Sequence, residues 1–185
     1  MKKLFIFCAV FLLVVGCNSR ITETKIVKES DYELAIAPNE KALLILFPCF
    51  PCDIEHTKQE AKVLNDIDNK GVSTLLLNYN QKLYLTDQEK KDVIDRLNQI
   101  IIQNHLNKEN IYIGGFSSGG NIAILIGNEL IKTKNDIQPK GIFVVDSPID
   151  LEELYKSAQK DIVENVSKDA VEEGKFLIQL FDKEF

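Results

Sequence analysis

The sequence predicts an α/β fold with a mostly parallel sheet flanked by helices on both faces. Three observations lead there. Ala42–Phe47 is a continuous apolar run without alternation, the pattern of a strand buried on both faces. Further strand-like apolar runs at 72–78, 111–113 and 141–145 are separated by stretches with helical spacing, the order of strand–helix–strand units. Between 113 and 121 a strand is joined to a helix through the glycine-rich Gly114-Gly115-Phe116-Ser117-Ser118-Gly119-Gly120.

Taken in order, residues 25–29 and 32–37 are short β-like runs that suit a hairpin at a sheet edge, closed off by the turn Pro38-Asn39-Glu40. The central strand 42–47 follows. Residues 53–69 read as helix, with Ala61, Leu64 and Ile67 at helical spacing and Lys70-Gly71 as a stop. After the strand at 72–78, Thr86 to Glu89 forms a capping box, and Val93, Leu97, Ile100 and Ile101 make the apolar face of the helix it opens. The helix after Gly120 should run to about Thr133, and the strand at 141–145 ends in Asp146-Ser147-Pro148. Residues 151–159 and 162 onward look helical, and the stripe Phe176, Leu177, Leu180, Phe181 has no evident partner. Tyr79, Tyr84 and Phe47 read as core or loop aromatics. Ligands of such sheets bind beyond the carboxyl ends of the strands. Three loops lie there: 48–53, the glycine-rich turn, and 146–150.

Gly115-Phe116-Ser117-Ser118-Gly119 fits G-x-S-x-G between a strand and a helix. The spacing has a steric reason. An apex serine in a strained backbone conformation brings the residues two before and two after it together, so both must be small. Ser117 meets that condition through Gly115 and Gly119, whereas Ser118 would have Phe116 at that place. Ser117 is therefore the candidate nucleophile and Ser118 a backbone donor for an oxyanion. The plainer alternative is a tight turn with a helix-capping serine.

With these pieces placed, residues 32–155 resemble an α/β-hydrolase. The resemblance rests on the strand 43–47 with the loop Pro48-Cys49-Phe50-Pro51, on the Ser117 turn, and on the strand ending at Asp146. It implies an acyl hydrolase acting on a small ester or related substrate through Ser117. Its oxyanion hole would use the N–H of Ser118 with that of Cys49 or Phe50, because proline has none. Asp146 is the candidate triad acid, or else a capping residue of the next turn. The departures are as informative. The family's order is serine, acid, histidine, yet both histidines, His56 and His105, precede Ser117. His105 falls at the opposite edge of the sheet. His56 falls on the correct side but reads as an exposed helix residue, and a base needs hydrogen-bond reach to the serine. The family sheet also continues past this last strand. The expectation is an incomplete, C-terminally truncated hydrolase architecture, weak or inactive for lack of a base. A non-catalytic hydrolase-like binding lipoprotein is the alternative.

The amino-terminal end gives a location. Met1-Lys2-Lys3, an apolar run over 4–15 too short for a comfortable span, and Val14-Val15-Gly16-Cys17 resemble a bacterial lipoprotein signal. This implies cleavage after residue 16, lipidation (palmitate or a similar acyl chain) of Cys17, a tether over 17–30 and a domain over 31–185. The product would be anchored in a membrane on its periplasmic or extracellular face. The remaining cysteines, Cys49 and Cys52, form a C-x-x-C between a strand and a helix, so thiol–disulfide oxidoreductase chemistry is a rival reading. A local structural disulfide is the simpler one in that compartment. No cofactor is expected, nor a metal, since no second ligand pair lies near the cysteines. With 22 basic and 28 acidic side chains interspersed, at a formal charge of −6, no nucleic-acid partner is expected.

Overall fold

Ala42–Phe47 forms β3, and the rest of the sheet is arranged about it. The computed structural model describes residues 23–50, 52–79 and 82–184. In those residues the elements are β1 (Lys25–Lys28), β2 (Tyr32–Ile36), β3, α1 (Ile54–Glu60), β4 (Val72–Leu77), α2 (Asp87–Gln103), β5 (Ile111–Phe116), α3 (Ser118–Lys132), β6 (Pro139–Val145), α4 (Leu151–Glu164) and α5 (Lys168–Glu184). The strands form one sheet in the order β1-β2-β4-β3-β5-β6. β3 to β6 run parallel, while β1 and β2 join antiparallel at one edge. The signal segment and Cys17 lie outside the described residues. The tether expected over 17–30 is shortened by the sheet, because Lys25–Lys28 already pairs with Glu33 to Ile36.

Alternation of side chains on β3 separates the two faces. Leu43, Ile45 and Phe47 join a large buried cluster with Leu75, Leu77, Ile111 and Ile113, covered by Leu97, Ile100 and Ile101 of α2 and Ile122, Ala123 and Ile126 of α3. On the other face Leu44, Leu46 and Leu76 meet a smaller cover from Ile54, Leu64, Ile67, Phe116 and Phe143. α2 begins as its sequence dictates: Thr86 caps the Glu89 N–H, and the Glu89 carboxylate returns to the Thr86 N–H. Its buried stripe is Ile94, Leu97, Ile100 and Ile101, with Val93 at the margin.

Two expectations need correction. The helix read over 53–69 stops at Ala61, whose ψ of 67 breaks the helical path. Two short 3-10 turns follow, Lys62–Leu64 and Asp68–Lys70, before Gly71 closes the segment at φ 83. Asn65, Asp66, Asp68 and Asn69 are poor helix formers whose side chains compete for backbone groups, and the break lets Leu64 and Ile67 reach the sheet. The apolar stripe of α5 has partners after all. Phe181 meets the ring of Tyr155 edge-on at 5.5 Å, and Gly174 lets α5 approach the Ala158 carbonyl of α4. Phe176 stacks on Phe50, in the loop after β3, with centroids 5.5 Å apart. Among the described residues, no helix is long and apolar enough to cross a membrane.

Candidate active site

Ser117 sits between β5 and α3 with φ 50 and ψ −126, a conformation rare for any residue with a side chain. The flanking glycines explain why the sequence can hold it. A Cβ on Gly115 would lie 2.1 Å from the backbone of Gly119, and one on Gly119 would lie 2.1 Å from the Phe47 carbonyl oxygen. The turn therefore closes on itself and presses α3 against the end of β3. The Ser117 N–H donates to the Val145 carbonyl at 2.9 Å, which fixes the turn against β6. The Ser117 hydroxyl is partly exposed and has no hydrogen-bond partner among the described residues.

The loop after β3 is tied to this turn. The Phe50 N–H donates to the Ser118 hydroxyl oxygen at 2.7 Å. Tyr79, two residues past β4, donates its hydroxyl to the Pro48 carbonyl at 2.9 Å and lies 3.2 Å from the Ser118 oxygen. Ser118 and Tyr79 are both buried, at 2% and 3% exposure, and burial pushes the Tyr79 phenol up to about 12. Cys49 and Cys52 are joined in a disulfide that closes the same loop. This bears on the two expected loop donors, Cys49 and Phe50. The Phe50 N–H is engaged by the Ser118 side chain, so Cys49 is the loop residue whose N–H has no partner among the described residues. The disulfide joins two residues of one loop between β3 and α1, and nothing around it supports the oxidoreductase reading.

Among the described residues, no hydrogen bond joins Ser117 to Asp146, His56 or His105. Asp146 follows Val145, which pairs with Phe116, so Asp146 and Ser117 lie side by side at the carboxyl edge. Asp146 is exposed at φ 50, and its carboxylate neither caps the next turn nor meets a histidine. Asp150 is the residue that caps α4. His56 is exposed in the first turn of α1, where its backbone N–H binds the Asp53 side chain at 2.7 Å. His105 is exposed at φ 54 just after α2, at the end of the sheet where β5 begins. No hydrogen bond joins either imidazole to Ser117. No group of three or more metal-ligating side chains occurs among the described residues.

Sequence reasoning missed Tyr79, the Ser118 side chain and Asn121. The amide of Asn121 donates to the Pro148 carbonyl at 3.0 Å and ties α3 to the loop after β6, leaving its own carbonyl oxygen buried without a partner. No residue type or spacing marks these roles in the sequence, because each bond spans distant parts of the chain.

No family model matches the sequence, and no curated protein matches it. Solved structures do resemble it. A double mutant of the esterase E40 matches with a TM-score of 0.58 at 14% identity, covering 86% of this chain and 54% of that one. Est1E from Butyrivibrio proteoclasticus matches with a TM-score of 0.51 at 15% identity, covering 74% and 56%. The chain thus spans about half the length of these proteins. Together with the six-stranded sheet, they show that it has the α/β-hydrolase fold in partial form.

Proposed function

We propose that the chain is a serine-type acyl hydrolase, with Ser117 as nucleophile and a carboxylic ester or related small acyl compound as substrate. The observation that carries this reading is the backbone of Ser117, held at φ 50 and ψ −126 at the carboxyl edge of a hydrolase-type sheet. Nothing in the packing of a plain strand–helix turn demands that strain, whereas a nucleophile that must stand clear of the sheet does.

The Ser117 oxygen attacks the substrate carbonyl carbon and its proton passes to solvent. The oxyanion is met by the N–H groups of Ser118 and Cys49. Collapse expels the alcohol, which takes up a proton, and water then cleaves the acyl-Ser117 ester. With no imidazole bonded to Ser117, the step that a general base normally accelerates by about 10²–10⁴-fold is left to water. Turnover of p-nitrophenyl butyrate should accordingly be slow or absent, and any signal should vanish in Ser117→Ala. Brisk turnover that disappears in Ser117→Ala but survives in His56→Ala would refute the account of the missing base.

We also propose that the chain is lipid-anchored through Cys17, on the strength of its sequence context. Full-length protein should then sediment with bacterial membranes and Cys17→Ser should not. Equal sedimentation of the two would remove the proposal.

A further inference from the structure

The hydrogen count around Ser118 fixes a direction. Tyr79 has one hydroxyl proton, and at 2.9 Å the Pro48 carbonyl can only accept it. In the 3.2 Å contact between the two hydroxyls, Ser118 must therefore be the donor. The Ser118 oxygen in turn accepts from the Phe50 N–H at 2.7 Å. The result is a closed relay, Phe50 N–H to Ser118 O–H to Tyr79 O–H to Pro48 C=O, that begins and ends on the same short loop. Its two side chains come from α3 and from the segment after β4. Ser118, Tyr79 and Pro48 are buried and Phe50 is half-buried, so water has little access to the two hydroxyls. The ring of Tyr79 is itself held edge-on against Phe47 at 5.7 Å.

We propose that Ser118 and Tyr79 are positioning residues: their hydroxyl relay locks the loop at Pro48 and Phe50 and so presents the Cys49 N–H, rather than that of Phe50, as the second donor to an oxyanion at Ser117. The proposal rests on the reading of Ser117 as nucleophile. It assigns Ser118 two separate tasks, its N–H toward the oxyanion and its hydroxyl toward the loop. It also explains a serine, in place of any other small residue, directly after the nucleophile.

Ser118→Ala, Tyr79→Phe and the double variant of the full chain test it through two readouts. The first is amide hydrogen exchange at Phe50 and Cys49 by NMR, which needs no reactivity at Ser117. The second is phosphonylation of Ser117 by an alkyl fluorophosphonate, resolved into a binding constant and a maximal rate. Each single variant should speed exchange at Phe50 at least about tenfold. Each should lower the maximal rate by about tenfold or more with the binding constant little changed, a fraction of the loss that removing an oxyanion donor outright causes. The double variant should lose no more than the worse single one, because both break the same relay. Phosphonylation of Ser118→Ala at or above the wild-type rate would overturn the proposal and make the freed Phe50 N–H the donor. Unchanged exchange at Phe50 in both single variants would overturn it as well. If the wild-type chain takes no label, the nucleophile reading of Ser117 falls and the exchange data alone decide the relay.

Discussion

Gly119→Ala is the sharpest test of how the Ser117 turn is built. The new Cβ would stand 2.1 Å from the Phe47 carbonyl oxygen and 2.5 Å from that of Pro48, both backbone atoms at the end of β3. That is more than an ångström inside ordinary van der Waals contact, and no side-chain rotation relieves it. Either α3 retreats from the sheet or the loop moves, and both stretch the 2.7 Å bond from Phe50 to Ser118. Overpacking against backbone costs about 3 kcal/mol, offset by about 1 kcal/mol of better helix propensity. A net loss of about 2 kcal/mol lowers Tm by about 4–8 °C for a domain of this size. Gly127→Ala is the matched control on the same helix. Its Cβ would meet the Ile142 Cδ1 atom at 2.3 Å, a terminal methyl that can turn aside. Its Tm should stay within about 3 °C of wild type. Thermal unfolding followed by circular dichroism measures both. If Gly119→Ala melts with the wild type, or if the two variants fall equally, the packing argument for the G-x-S-x-G spacing is wrong.

The remaining predictions concern the scaffold. Arg96 grips the Asp31 carboxylate through two nitrogens, at 2.7 and 2.8 Å, and this bonding holds the Asp31 pKa below the ordinary carboxylate range. A folded-state pKa below the unfolded one contributes stability above the ordinary carboxylate pKa and loses it as pH falls through the folded value. The gap in urea midpoint between wild type and Asp31→Asn should thus be present at pH 6 and close below about pH 4, remaining modest throughout because both side chains are about a third exposed. Thr86→Ala should cost about 1 kcal/mol in urea unfolding through loss of the cap on α2. Phe176→Ala removes the stack on Phe50. It should raise hydrogen exchange in α4 and α5 while leaving β3 and β5 at wild-type protection, as expected if the helical pair is anchored to the loop through that ring.

Much of the scaffold was legible because its causes are local. The unalternating apolar run of β3 and the capping box at Thr86 each act within a few residues, and each appears where the sequence places it. The strain at Ser117 was legible for the same reason, since the glycines that permit it stand two residues away. What failed depends on long-range contact. The break at Ala61 answers to the sheet surface that Leu64 and Ile67 cover, and the partner of Phe176 is a phenylalanine far earlier in the chain. The choice between Cys49 and Phe50 as donor could not be read from the sequence, because the side chain that takes the Phe50 N–H stands on α3, 68 positions away. The prolines of the loop show which N–H groups exist, but the tertiary fold decides which are already taken.

The proposal that Ser117 works without a base can be probed by supplying one. The Ser117 hydroxyl is partly exposed and unpartnered, so a small base from solution can approach it. Imidazole serves, because its neutral form is the chemical group that a triad histidine would present. Added imidazole should raise the phosphonylation rate of Ser117 in proportion to its concentration. The effect should grow with pH and level off above about pH 7, where the neutral form predominates. Direct attack of imidazole on the reagent is removed by reading the label on Ser117 by mass spectrometry, with Ser117→Ala as the blank. Acceleration confined to the wild type would show that the elbow, the donors and the access are in place and that proton removal is what limits them. A label that forms on Ser117 but ignores imidazole would locate the deficit elsewhere, in the oxyanion loop, and would overturn the inference that a missing base governs this site.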